Sequence, residues 1–580
     1  MLDESRGPTN GDVILYFRRG RETAAGRRRS LPPVNVAMTQ PPRHDPHTPA
    51  DTWRQLGKLL ASERGDVGTI LAFALGVGLL SVVTPAAIEA LVNTVAFGVL
   101  LWPVIVLALV TLGFLAFAAC LRAMQSAVAE YVQRRVFVRT ARAFVTAFLR
   151  CDADTLARSN PTDIVNRFFE VASVQKCVAT LLVDGVQIAT TTIVGLIVLA
   201  FYHPYLLVFA VVMVFLMAFL LLVLGTGGIR TSIAESAAKY EFAAWLEDLS
   251  RCPRSLRSQS GLTFSAERAE ERIDAYLTAR RRHFSVVWRQ VVFALAIEAL
   301  ASTALLGLGG WLVIQRQLNL GQLVAGELIV TLVLSAVSKI GKYVEVFYDL
   351  HAGLAKLAIV DQLDAEVDGG EQLPDSLGPM TVAIDVGNGE DPQRRVELAA
   401  GGHAAMNANA GSTAWLEALA LLRSSPAGTF ELDGIDGRSL DRPAAREQVA
   451  LVGPAETFAG TVAENLRTGR TAISAADLRA ALETVGLASR IARLPLGMAT
   501  PLAADGFPLD PVEAARLTLA RAIAGHPRLL LIDRLLDGFD LDGDAALTDS
   551  LFGPSSPWTL VVASTRDDVR RRCDSTLEAS

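Results

Sequence analysis

The stretch Gly401–Leu422, GGHAAMNANAGSTAWLEALALL, decides how the C-terminal part of the chain is read. It has the build of a strand end, a loop of small residues, and a helix with Leu416, Leu419, Ala420 and Leu422 on one apolar face. A loop of that build opening a helix is the frame of a phosphate-binding loop, where backbone N–H groups and the helix N-terminus receive phosphate oxygens. The motif is G-x-x-x-x-G-K-[ST]. Aligned on its second glycine, Met406 stands for the first glycine, Gly411 for the second, Ser412 for the lysine and Thr413 for the Ser/Thr. The frame is present and the lysine is not.

Working outward, the chain has 580 residues, which suggests more than one domain, and 51% of them are hydrophobic. Mean hydropathy is +0.35, too apolar for an ordinary soluble protein. Six apolar runs fall at about 66–90, 98–121, 179–202, 204–225, 289–315 and 322–344, each near the roughly 20 residues that cross a bilayer. Net charge is −6, but arginines cluster at the borders of the apolar runs, so the total points to no nucleic-acid partner. The five cysteines are scattered, with no metal-ligand or disulfide spacing.

The runs form three hairpins. Short connections near 91–97, at 202–205 and at 316–321 carry one basic residue, Arg316. The other connections are long and basic; Arg122–Arg150 alone holds six arginines. The positive-inside rule then places both termini and both long loops in the cytoplasm, and the protein in the cytoplasmic (inner) membrane as a multi-pass chain. Helical periodicity continues through 122–178 and 226–288, interrupted at Ser159-Asn160-Pro161 and Arg251-Cys252-Pro253. Residues 1–50 are basic, lack apolar periodicity and are expected to be disordered. They contain no apolar signal-peptide core, and Met38 is a second candidate start. Residues 51–64, with Trp53, Leu56, Leu59 and Leu60 near one face, form an amphipathic helix that lies either in the membrane interface or on protein.

Six helices in three hairpins, two long helical loops and a C-terminal soluble part resemble an exporter-type ABC half-transporter, over roughly residues 51–580. The resemblance implies a fold: a six-helix transmembrane domain (51–350) with long cytoplasmic helical extensions, a linker (351–372) and an α/β P-loop NTPase-like domain (373–580). Further landmarks follow in family order. Phe430–Gly434 resembles the strand-turn after the P-loop helix, and Val449–Val452 the strand beyond it. Phe458–Leu466 is similar to the family's F-S-G-T-I-x-E-N-I segment. Arg516–Ala522 looks like the helix after the signature, Leu529–Asp533 like Walker B, and Trp558–Ala563 like the strand before the switch histidine. The family's coupling helices would fall near Asn160–Asn166 and Tyr240–Leu249, with Asn160 and Trp245 as docking residues.

The chemistry expected at these landmarks is largely missing. No lysine follows Lys356, no glutamine follows Gln448 and no histidine follows His526. The signature L-S-G-G-Q aligns with Leu509-Asp510-Pro511-Val512-Glu513, whose proline lacks an N–H and whose carboxylates repel phosphate. The catalytic glutamate aligns with Arg534, which stays protonated and cannot act as a base. The switch histidine aligns with Ser564. The interval 375–400 has no aromatic residue to stack on adenine. No residue is therefore assigned a catalytic role. Gly411, Ser412 and Thr413 remain as a vestigial nucleotide site, and Thr413 with Asp533 as a vestigial Mg²⁺ site; equally, Thr413 is a helix cap and Asp533 a strand end.

Binding of MgATP, the family's cofactor, is expected to be weak or absent. Asp540 is read as the D-loop aspartate at a dimer interface. Asp184, Glu298 and Glu327 in or near the apolar runs are candidate substrate contacts, helix–helix hydrogen-bonding groups or groups at the membrane interface. The resemblance implies a homodimer or a heterodimer with another half-transporter. Two functions fit: an exporter subunit energised by a partner's ATPase, or a non-transporting membrane receptor, regulatory or assembly protein of the same descent.

Overall fold

In the computed structural model the described residues are 49–96, 101–153, 155, 161–363, 365–366, 369–376, 378–386, 394–423, 428–554 and 556–577. The basic tail up to residue 48, and Asn160, lie outside them.

Six helical segments are long and apolar enough to cross a membrane, in the places the apolar runs indicate. The first is two helices, α2 (Arg64–Leu80) and α3 (Val83–Ala96). They part at Ser81-Val82, just before Pro85, which has no N–H to continue the helix. The second, α4 (Leu101–Arg150), is unbroken over 50 residues. At about 1.5 Å per residue it is far longer than a hydrocarbon core of about 30 Å. The first long loop returns through α5 (Pro161–Phe168) and α6 (Glu170–Thr180), a π turn (Leu181–Gly185) and α7 (Val186–Tyr202). Gln125, almost fully buried on α4, donates to the Val183 carbonyl at 3.3 Å inside that π turn. Helix α8 (Pro204–Leu222) starts on Pro204, and the His203 side chain accepts from Tyr205 N.

The second long loop runs down α9 (Gly228–Arg251) and up α10 (Gln259–Ile314). Its turn follows the proline at 253, and Ser258 caps α10. Two expectations are corrected here. The stretch Tyr240–Leu249 is not a separate short helix but the middle and end of α9, so Trp245 sits on a continuous helix. Its ring meets Phe264 of α10 edge-on at 6.1 Å. Helix α11 (Leu320–Leu357) also runs past residue 350, because His351, Ala352, Gly353, Leu354 and Ala355 are buried and continue its packed face.

The amphipathic stretch near the N-terminus, α1 (Pro49–Ser62), packs on protein. Thr52 and His351 share a hydrogen bond of 2.8 Å, and the Trp53 ring lies 5.5 Å from that of Phe347. The membrane core is formed where α7, α8, α10 and α11 meet, around Leu199, Leu312, Ile329 and Val337.

Beyond the last helix the chain is α/β. A parallel five-stranded sheet has the order β11 (Ser575–Leu577), β3 (His403–Asn407), β10 (Thr559–Ser564), β9 (Leu529–Asp533), β6 (Val449–Val452). Strands β9 and β10 are buried along their whole length, which explains their continuous apolar sequence. An antiparallel sheet, β2 (Arg394–Leu398), β1 (Val382–Val386), β4 (Thr429–Leu432), β5 (Ile435–Asp436), flanks it, and β7 (Gly460–Thr461) pairs with β8 (Pro501–Leu502).

The two parts are bonded at the foot of α4. Glu366 N donates to Arg150 O at 2.7 Å, and Arg446 grips the Glu366 carboxylate with both terminal nitrogens. Ala153 N donates to Leu422 O at 3.3 Å.

Close helix packing provides a stability test. A Cβ added at Gly228 would lie 2.1 Å from Tyr348 Cζ, and Tyr348 is buried with its hydroxyl on Gly225 O. Gly228→Ala is expected to cost about 1–3 kcal/mol, read as a lower thermal unfolding midpoint of the detergent-purified chain. Adding Tyr348→Leu should recover part of the loss; an unchanged midpoint for the single variant would contradict the packing.

Candidate functional site

Strand β3 ends at Asn407, and helix α12 (Ala410–Leu419) begins three residues later. The carbonyl oxygen of the Asn409 side chain accepts from Ser412 N at 2.8 Å, and Ser412 Oγ accepts from Asn409 N at 2.9 Å. This reciprocal cap occupies the N–H at the position where the motif carries its lysine, and Ser412 is fully buried. Next to it, Thr413 Oγ1 donates to Asp533 Oδ2 at 2.9 Å. The fold thus brings Gly411, Ser412, Thr413 and Asp533 to one place, at the C-terminal edges of β3 and β9.

Asp533 is buried, and its Oδ1 has no hydrogen-bond partner among the described residues. The Nε of Arg534 stands 3.8 Å from that oxygen. Arg534 has φ +55°, the left-handed region, and its backbone N–H bonds Ala563 O on β10.

Two further elements are closed in the same manner. Helix α13 (Pro511–Ala524) starts at the signature position, where the Asp510 carboxylate accepts from Val512 N and Glu513 N at 2.9 and 2.8 Å. Glu513 in turn accepts from Asp510 N and from Arg490 Nε. At the switch position, buried Ser564 donates to Asp537, which also accepts from Thr565 N and Oγ1. Burial pulls the Asp537 carboxyl upward, but the bonds from Ser564 and Thr565 and the Arg566 charge outweigh it. They hold it below the usual carboxylate range.

The Ser412 N–H of the loop is bonded to Asn409, the Val512 and Glu513 N–H groups to Asp510, and the Arg534 guanidinium stands beside Asp533. Asp540 accepts a local bond from Gly543 N. Asp542 and Asp544 are paired with Arg572 and Arg516.

In the membrane half, Asp184 lies in the π turn and is exposed, and Glu298 on α10 is partly buried. Glu327 on α11 is partly buried, with Oε2 enclosed and unbonded among the described residues. No hydrogen bond joins the three. A carboxylate that sequence reading passed over, Glu89, accepts from Tyr202 OH at 2.6 Å and ties α3 to the end of α7. A carboxylate inside an apolar run was the available signal.

At the end bearing the long loops, Glu170 accepts from Lys239 Nζ and Tyr240 OH at 2.9 and 2.8 Å, and Lys356 lies over the Tyr240 ring. Asn166 donates to Glu247. These contacts join the first long loop, the second and α11.

Comparison with known proteins agrees with this architecture. Residues 67–337 match the family described as "ABC transporter transmembrane region". The chain carries an ABC transporter transmembrane region. It is homologous to the mycobactin import ATP-binding/permease protein IrtB. Against IrtB of Mycolicibacterium smegmatis it is 26% identical over 299 residues, 50% of this chain and 51% of that protein. Against IrtB of Mycolicibacterium thermoresistibile it is 31% identical over 168 residues, 29% of each. The matched region thus spans about half the length, or less, of these curated relatives. The fold is that of a bacterial Atm1-family ABC exporter solved with ATP bound. The TM-score is 0.73 at 18% identity, covering 90% of this chain and 94% of that one.

The Asp537 bonds carry a pH signature. Because the folded carboxyl titrates below its ordinary value of about 3.9, its stabilisation is complete above about pH 4 and is lost as pH falls further. Asp537→Asn should therefore lower the unfolding midpoint at pH 6, with the gap to wild type closing as pH falls below about 4. A gap independent of pH would refute the assignment.

Proposed function

We propose that the chain is one subunit of an ABC exporter whose own α/β domain does not hydrolyse ATP, with hydrolysis supplied by a partner half-transporter. One observation carries this reading. The membrane half keeps a transporter's architecture and its bonded joint to the α/β domain, while the loop, signature and switch positions are closed by Asn409, Asp510 and Asp537. Loss of a general base alone costs about 10²–10⁴-fold in rate, and here no lysine is present to hold the phosphates. The active assembly is a dimer in the cytoplasmic membrane with both termini in the cytoplasm, and the partner provides the lysine and glutamate. Asp184, Glu298 and Glu327 are proposed to face the substrate path. The relative IrtB is named for import, so direction is a separate question that oriented vesicles answer.

A second reading is a membrane receptor, regulatory or assembly protein that transports nothing. It is favoured by the closure of both the P-loop and the signature, since each nucleotide of such a dimer would lie between these two elements.

The test is ATPase activity in proteoliposomes. The chain alone should hydrolyse ATP no faster than its Asp533→Asn variant. Paired with a neighbouring half-transporter, activity should survive Asp533→Asn in this chain and vanish when the partner's P-loop lysine is removed. Asp533-dependent hydrolysis by the chain alone would overturn the proposal. Absence of transport in the pair would favour the second reading.

A further inference from the structure

We propose that Arg534 supplies from the chain itself the positive charge that a divalent cation supplies at a phosphate loop, so that the Thr413–Asp533 pair recruits no Mg²⁺. The inference rests on reading this domain as derived from a nucleotide-binding one.

The two oxygens of Asp533 have different surroundings. Oδ2 accepts the Thr413 hydroxyl at 2.9 Å. Oδ1 is enclosed and has no hydrogen-bond partner among the described residues. A buried carboxylate oxygen left in that state calls for a compensating charge. The group that answers it is the Arg534 guanidinium, with Nε 3.8 Å from Oδ1 and the side chain half-exposed. That separation is too long for a hydrogen bond and well within the reach of charge compensation.

The root of the side chain is held in place. Arg534 N bonds Ala563 O at 2.8 Å while φ is +55°, a conformation that L residues seldom adopt and that recurs where a side chain has to be aimed. The aspartate and the guanidinium cancel in net charge. A hydrated divalent ion would meet no net negative charge and a repelling cation.

Mn²⁺ is the probe, read by electron paramagnetic resonance on the full-length purified chain without nucleotide. Wild type and Asp533→Asn should take up Mn²⁺ equally, because the remaining carboxylates bind it alike in both. Arg534→Gln should gain a site roughly 10-fold or more tighter than this background, of the size expected when a group next to a metal site is changed. Asp533→Asn in the Arg534→Gln background should remove the site, and Arg534→Lys should not create it. Thermal unfolding midpoints confirm that each variant is folded. Asp533-dependent Mn²⁺ uptake by wild type overturns the proposal, as does a folded Arg534→Gln that gains nothing. Because no turnover is measured, this outcome is separate from the ATPase result: hydrolysis by the chain alone would overturn the inactive-ATPase reading even if Mn²⁺ behaved as expected.

Discussion

Inside hydrocarbon every backbone N–H and C=O has to find its partner within the segment, and the rest of this structure depends on that constraint. It forces the six apolar runs into helices. It also makes those helices stiff enough to continue beyond the bilayer as α4, α10 and α11. Where the regular ladder departs from α geometry, a side chain supports it: Gln125 bonds the Val183 carbonyl inside the π turn. Beyond the bilayer the same helices are held by ordinary polar chemistry, with Glu170, Lys239 and Tyr240 joining the two long loops.

The rods meet the α/β domain where the phosphate-loop helix ends. Helix α12 begins at the Asn409 cap, and just past its last turn Leu421 O accepts from Arg446 and Leu422 O from Ala153. Arg446 also holds Glu366, whose N–H bonds the last residue of α4. One short helix thus links the Asn409–Thr413 loop to the foot of a membrane helix. The domain keeps its shape because a parallel sheet buried on both faces does not depend on a ligand. Asn409 and Asp510 are good helix caps in their own right, and Asp537 ties its turn to Ser564 and Thr565.

Several features lay open in the sequence for physical reasons. Hydropathy over some 20 residues locates a spanning helix. A strand buried on both faces reads as LLLID or TLVVAS, and prolines mark the breaks at the long-loop turns. The loss of lysine from the domain is a matter of inventory. Asp510-Pro511-Val512-Glu513 also spells out a capping box, although its acids were read only as repelling phosphate.

Other features depended on partners far apart in sequence. Helix α1 packs on protein because Thr52 and Trp53 find His351 and Phe347. Trp245 belongs to a long helix, and its ring finds Phe264 on the helix that returns. Glu89 matters because Tyr202 stands opposite. The sequence by itself determined the apolar spans, the order of strands and helices, and which reactive groups are missing, since each follows from local pattern or composition. Only the tertiary structure decided that the loop before α12 is capped by its own side chains, with a guanidinium beside Asp533. Whether an N–H is free or capped, and which charge faces a buried carboxylate, depends on distances between segments that the order of residues does not contain.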